Sequence, residues 1–168
     1  LLNLIKNNLF DTVYHEHYSY LSLHTVMDIF SKHGLKVYNV EKILTHGGSL
    51  RVYGCHEDDI KKINQNLNLV LNEEKKEGLL DIKKYTKLQI VADNVKFELK
   101  EFLKKLKKEN KIVAAYGAAA KGNTLLNFCN IKDDSIDFVC DASKSKQNKY
   151  LPGSHIKILD PNILFEKK

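Results

Sequence analysis

Apolar residues along the chain keep four different rhythms. In LHTVMDIFSKH, Leu23, Val26, Met27 and Phe30 fall three and four apart, one face of a helix. Ser22 precedes it as an N-cap hydroxyl and Gly34 follows as a left-handed stop. The period then shortens to two. LKVYNVEKILTH reads as a strand, Gly47 and Gly48 as a turn, and SLRVYGC as a second strand in which Leu50 and Val52 alternate with Arg51 and Tyr53. Upstream, VYHEH reads as the end of another strand. A strand, a helix and two strands joined by a glycine turn would close the edge of a mixed sheet.

Residues 57–109 are highly charged and helical in pattern. Tyr85, Leu88, Ala92, Val95, Leu99, Phe102 and Leu106 alternate threes and fours, an apolar seam about three heptads long. It predicts a helix packed on its own protein or on a second copy, so self-association through residues 85–106 is an expectation. Gly78 would separate this helix from the one before it. The lysines of KKLKKENK suit a solvated last turn, where helix carbonyls favour cations.

The fourth rhythm is continuous. IVAAY predicts a buried strand over residues 112–116, GAAAKG a turn, NTLLNFC a helix, and IDFVCD a strand over residues 136–141. Strand, glycine-rich turn, helix and strand make a βαβ unit with parallel strands. The remainder, SKSKQNKYLPGSHIKILDPNILFEKK, reads as a polar loop, a short strand and a helix start at Asp160 and Pro161. Overall the class is α/β, a Rossmann-like unit preceded by a charged helical segment and by strands of another sheet.

Composition narrows the setting. With 43% hydrophobic and 29% charged residues over 168 positions, the chain is globular, and its apolar runs fall short of the roughly 18 residues of a membrane span. Cys55, Cys129 and Cys140 are odd in number and form no CxxC pair, which favours buried thiols in the cytoplasm over disulfides or a zinc ribbon. Of the 27 basic residues only Arg51 is arginine, so the net charge of +6 does not point to nucleic acid, which is commonly read by arginine forks. The opening LLNLIKNNLFD carries neither an initiator methionine nor a signal peptide, and the chain reads as a fragment.

Two stretches carry chemistry. GAAAKGNT has Gly117, Gly122 and Thr124 at Walker spacing, but Asn123 stands where the phosphate-binding lysine belongs, which argues against an NTPase. The dinucleotide pattern lacks its middle glycine, since residue 119 is Ala. What survives is a helix N-terminus whose amides favour an anion, with Lys121 beside them. Asp141, 19 positions after Gly122, stands where an acid would bond a ribose. A tight turn of small residues with no ligand is the other reading. The second stretch, YHEHYSYLSLH from Tyr14 to His24, holds three histidines, three tyrosines and one glutamate. His15 and His17 would share a strand face, yet no third metal ligand stands at motif spacing, so no metal site is expected. The alternatives are a polar edge strand, or an acid–base group in which Glu16 supports a His17 base and Tyr14 donates to an oxyanion. For the latter, strand pairing must end and the backbone must turn.

Taken in order, FDTVYHEHYSYLSLHTV, HGGSLRVYG, AYGAAAKGNTLLNF and YLPGSHIKI resemble the sugar-nucleotide C-methyltransferases over roughly residues 9–160. Such enzymes use S-adenosylmethionine to methylate nucleotide-linked keto-deoxysugars. They have an N-terminal zinc module, a donor-binding methyltransferase domain and a C-terminal Rossmann-like domain. The resemblance implies that residues 1–55 are the last elements of the methyltransferase domain, 56–110 a helical connector, and 111–168 part of the sugar-nucleotide-binding domain. Tyr14, Glu16 and His17 match the family's YxEH motif, with His17 as the implied base. Gly117, Lys121, Gly122 and Asn123 are implied to bind the nucleotide-sugar, with Asp141 as a further substrate-side position. His155 falls in the family's LPG-H segment and is placed on the substrate side without a derived role, and Arg51 is either a clamp for an anion or a surface arginine of an edge strand. Zinc-binding cysteines, the donor's glycine-rich loop and the closing strands do not occur in this sequence, so the chain reads as the acceptor-side fragment, truncated at both ends and inactive alone. A non-catalytic nucleotide-binding module and a piece of a nicotinamide-dependent oxidoreductase are the rival readings, the latter disfavoured by Ala119.

Overall fold

A computed structural model describes residues 1–166 and has the expected α/β character. The chain divides into two compact units. The first comprises Leu1–Phe10 and His17–Ile90, and the second Asp11–Glu16 and the chain from Val91 onward.

The first unit is built on a hairpin. After the short helix α1 (Leu2–Lys6) come α2 (Leu23–Ser31), β1 (Leu35–Ile43), β2 (Ser49–His56) and α3 (Asn66–Lys76). Ser22 caps α2 as expected, its Oγ accepting the Thr25 N–H at 3.1 Å. Gly34 follows the helix at φ +67°, where only glycine avoids a side-chain penalty. Strands β1 and β2 pair antiparallel from Leu35 against His56 to Ile43 against Ser49. A bulge between Val37 and Asn39 breaks the alternation, which is why Val37 and Val40, three apart, are both buried. They pack with Leu23, Leu67 and Val70.

Two expectations change here. The hairpin is a two-stranded sheet of its own rather than the edge of a mixed sheet. VYHEH is not a strand: a 3-10 turn at Phe10–Thr12 and a turn at residues 15–16 lead into chain outside any helix or strand. Alternation alone makes no strand where no neighbouring strand supplies a ladder.

Helix α4 (Ile82–Lys108) runs as one element from the first unit into the second, and Gly78 (φ +78°) lies in the turn before it. Its covered face follows the predicted seam through Leu99 and then shifts. Leu103 is 5% exposed whereas Phe102 is 57% exposed. An α-helix turns every 3.6 residues, so a strict heptad drifts off a straight contact face.

In the second unit β3 (Ala114–Tyr116), β4 (Phe138–Cys140) and β5 (Ile158–Leu159) form a parallel sheet of order β3-β4-β5, with α5 (Ala120–Cys129) connecting the first two. Leu103, Leu126, Cys129, Ile131, Val139 and Ile156 form its core. Strand β4 is wholly buried, as a parallel strand covered on both faces should be. Strand β3 departs from the expectation of burial, with Ala114 and Tyr116 exposed. Among the described residues it pairs only with β4 and lies at the sheet edge. Asp160 starts the last turn by taking the Asn162 N–H at 2.9 Å, ahead of α6 (Ile163–Glu166). Among the described residues no helix is long and apolar enough to cross a membrane.

Candidate active-site elements

The glycine loop connects β3 to α5. Gly117 stands at φ +96° and its N–H extends the ladder to the Cys140 carbonyl at 2.7 Å. A side chain there would meet no neighbour, so the backbone angle alone demands glycine. At Gly122 the angle is ordinary, and an added Cβ would lie 3.8 Å from the Gly117 carbonyl oxygen, an ordinary contact. The N-cap of α5 is Ala119, extended and with no side chain to cap the helix, so the amides of the first turn keep no side-chain partner from this position. Lys121 and Asn123 stand on that turn, both partly exposed. The Asn123 Oδ1 is a buried oxygen with no hydrogen-bond partner.

Asp141 follows β4 and braces the loop. Its Oδ2 accepts the Ala118 N–H at 2.7 Å and its Oδ1 accepts the Ser143 N–H at 2.8 Å. The Lys146 ammonium lies 3.2 Å from Oδ2 and donates to the Ala118 carbonyl at 2.9 Å. The Ser143 and Ala118 amides, and then Lys146, hold the Asp141 carboxyl below the usual carboxylate range. One carboxylate oxygen thus serves the glycine loop and the other the turn that follows β4. Gln147 Nε2 binds the Asp141 carbonyl at 3.0 Å from the same following segment. Lys146 and Gln147 are absent from the sequence reading, where SKSKQNK offers only a polar loop.

The LPGSH turn docks on α5. Asn127 Nδ2 donates to the Pro152 carbonyl at 3.0 Å, and Lys132 holds the Gly153 carbonyl. His155 is exposed at φ +60°, its N–H bonded to the Leu151 carbonyl at 3.0 Å. Arg51 lies in the first unit on β2, where its guanidinium meets Glu41 at 3.5 Å, directly across the ladder. Tyr53 donates to the same Glu41 carboxylate at 2.8 Å.

The histidine segment turns at residues 15 and 16. Tyr14 and Glu16 belong to the second unit, where Tyr14 is half-buried and Glu16 exposed. His15 Nε2 lies 3.8 Å from Glu16 Oε1, and the His15 ring stands tilted to that of Tyr14 at 6.3 Å. His17 belongs to the first unit, half-buried, with its ring edge-on to Tyr20 at 6.1 Å. His24 pairs with Asp28 one turn along α2, at 3.4 Å. Where α2 begins, the buried carboxylate of Glu74 takes the Leu23 and His24 amides at 2.7 and 3.1 Å. Among the described residues no three His, Cys, Asp or Glu side chains converge on a metal position.

The sequence is similar to those of known proteins. The family described as the C-methyltransferase C-terminal domain matches residues 44–168. The C-methyltransferase NovU of Streptomyces niveus is 35% identical over 161 residues, which are 96% of this chain and 38% of that protein. The chain therefore spans less than two fifths of that relative's length. With the match running from Leu44 across α3, α4 and the whole βαβ unit, the chain belongs to the C-methyltransferase C-terminal domain family.

Proposed function

We propose that this chain is the acceptor-handling portion of an S-adenosylmethionine-dependent C-methyltransferase whose substrate is a nucleotide-linked keto-sugar. The observation that carries the reading is the glycine loop. It is braced from behind by Asp141 and Lys146, and it opens into a helix whose first turn has no capping side chain. Such a turn presents several N–H groups and the helix dipole to an anion, which a nucleotide-sugar supplies as its diphosphate. Lys121 adds charge on that turn, and Asn123 offers an amide whose oxygen is unspent.

On this reading His17 takes the proton next to the sugar ketone, Glu16 supports the imidazolium, and Tyr14 donates to the enolate oxygen. A proton α to a ketone is weakly acidic, so the base needs that donor to stabilise the developing charge. S-adenosylmethionine supplies the methyl group. The first unit's described strands form an antiparallel hairpin with no strand–glycine loop–helix cradle, and we assign the donor no residue here.

Replacing His17 with Asn in the whole protein tests the base assignment. Methyl transfer should fall by at least about a hundredfold, the scale of general-base catalysis, while a nucleoside diphosphate still binds. Unchanged turnover would remove His17 from the chemistry. Failure of Lys121→Met to alter nucleoside diphosphate affinity would remove the loop from substrate binding.

A further inference from the structure

We propose that Lys146 is a positioning residue for the acceptor's diphosphate, acting through the peptide planes of Ala118. The inference rests on the assignment of the glycine loop to the nucleotide-sugar. Ala118 is held at both of its backbone groups by side chains. Its N–H goes to Asp141 Oδ2 at 2.7 Å and its carbonyl receives the Lys146 ammonium at 2.9 Å. The two holding groups are bonded to each other at 3.2 Å. The preceding Gly117 N–H is tied to Cys140 at 2.7 Å. Three backbone groups of Gly117 and Ala118 are therefore held, and they define the orientation of the chain as it enters Ala119 and α5.

The arrangement suits anion binding for a physical reason. Amides that face a ligand before it arrives need not be ordered by it, and that saved ordering appears as affinity. Lys146 fixes the carbonyl of Ala118 away from free rotation, and with it the amide of Ala119 in the same peptide plane. The ammonium has three donors, of which two are committed here, and the Lys146 side chain remains 44% exposed. Its work falls on a solvent-facing loop. The body of the unit is held by Leu126, Cys129, Val139 and Ile156, none of which depends on it.

The test is Lys146→Met in the whole protein, a change that keeps the stem and removes the charge. The KM for the nucleotide-sugar, and the Kd of uridine and thymidine diphosphate as probes, should rise about tenfold, the scale of one lost charge-assisted hydrogen bond. The kcat should stay within about twofold and Lys146→Arg should restore part of the affinity, a split that a purely structural lysine would not give. Unchanged affinity in Lys146→Met, with Lys121→Met weakened, would overturn this role and leave the loop assignment standing. A fall in kcat together with melting temperature at unchanged KM would also overturn it. Probes that bind equally to wild type, Lys121→Met and Lys146→Met would overturn the loop assignment as well.

Discussion

Glu74 and Leu23, 51 positions apart, meet as a carboxylate and the first amide of a helix, at 2.7 Å and out of contact with water. The second oxygen takes the next amide, that of His24, so a single side chain from α3 satisfies two of the orphan donors at the start of α2. Glu74→Gln keeps the shape and turns an N–H₂ toward those amides. The first unit should lose about 2 kcal/mol, the range for hydrogen bonds to a buried charged acceptor. Urea denaturation followed by far-ultraviolet circular dichroism checks this, and an unchanged midpoint would show that α2 is held by packing alone.

Asp141 makes stability depend on pH in one direction. Its folded pKa is depressed, chiefly by the Ser143 and Ala118 amides. Its contribution is thus complete above the unfolded carboxyl value of about 3.9 and is lost as pH falls through the folded value. Asp141→Asn should be less stable than wild type at neutral pH, and the difference should close on acidification. Parallel denaturant titrations of both proteins across that range measure the closing gap.

Gly54 lies beneath the Phe30 ring. An added Cβ would stand 2.3 Å from Phe30 Cε2, inside any real contact. Gly54→Ala must displace the ring that α2 lays on β2, at a cost of about 1–3 kcal/mol. Thermal unfolding should register it, and Gly54→Ala combined with Phe30→Leu should recover part of the loss.

The three thiols should separate by reactivity. Burial pushes the Cys129 and Cys140 thiols up from their ordinary pKa, and both are fully shielded, whereas Cys55 on β2 is partly exposed. Ellman's reagent should modify Cys55 first in the folded protein and reach the other two only on unfolding. Mass spectrometry of the labelled chain identifies the site.

How far the sequence could be read depends on the range of each interaction. Ser22, Gly34, Gly78 and the Gly47 and Gly48 turn act within a few residues, and each appears where the pattern placed it. The βαβ unit was legible for the same reason, since strand, turn and helix each carry their own local signal. Glu74 was not, because in the run NEEKKE nothing distinguishes a buried acid from its exposed neighbours. Its burial is decided by amides 50 and 51 positions earlier. The bulge at Tyr38 was missed likewise, because one extra residue in a ladder reverses the sense of alternation after it. In the candidate site, Gly117 and Asp141 were singled out from motif spacing. The lysine that joins them through Ala118 was hidden in a polar loop, where its partner depends on how the segment folds back.

The edge position of β3 bears on how this chain behaves in concentrated solution. Ala114 and Tyr116 face solvent, as does Ile112 just before them, beside backbone groups that pair only with β4 among the described residues. An open apolar edge of this kind is a template on which a further strand can grow. Lys107, Lys108 and Lys111 immediately precede it and repel a like-charged copy, the arrangement by which gatekeeper residues protect an aggregation-prone segment. Because that repulsion is electrostatic, added salt should shorten the colloidal lifetime of the isolated chain, while substitutions that add charge at residues 112 or 114 should extend it.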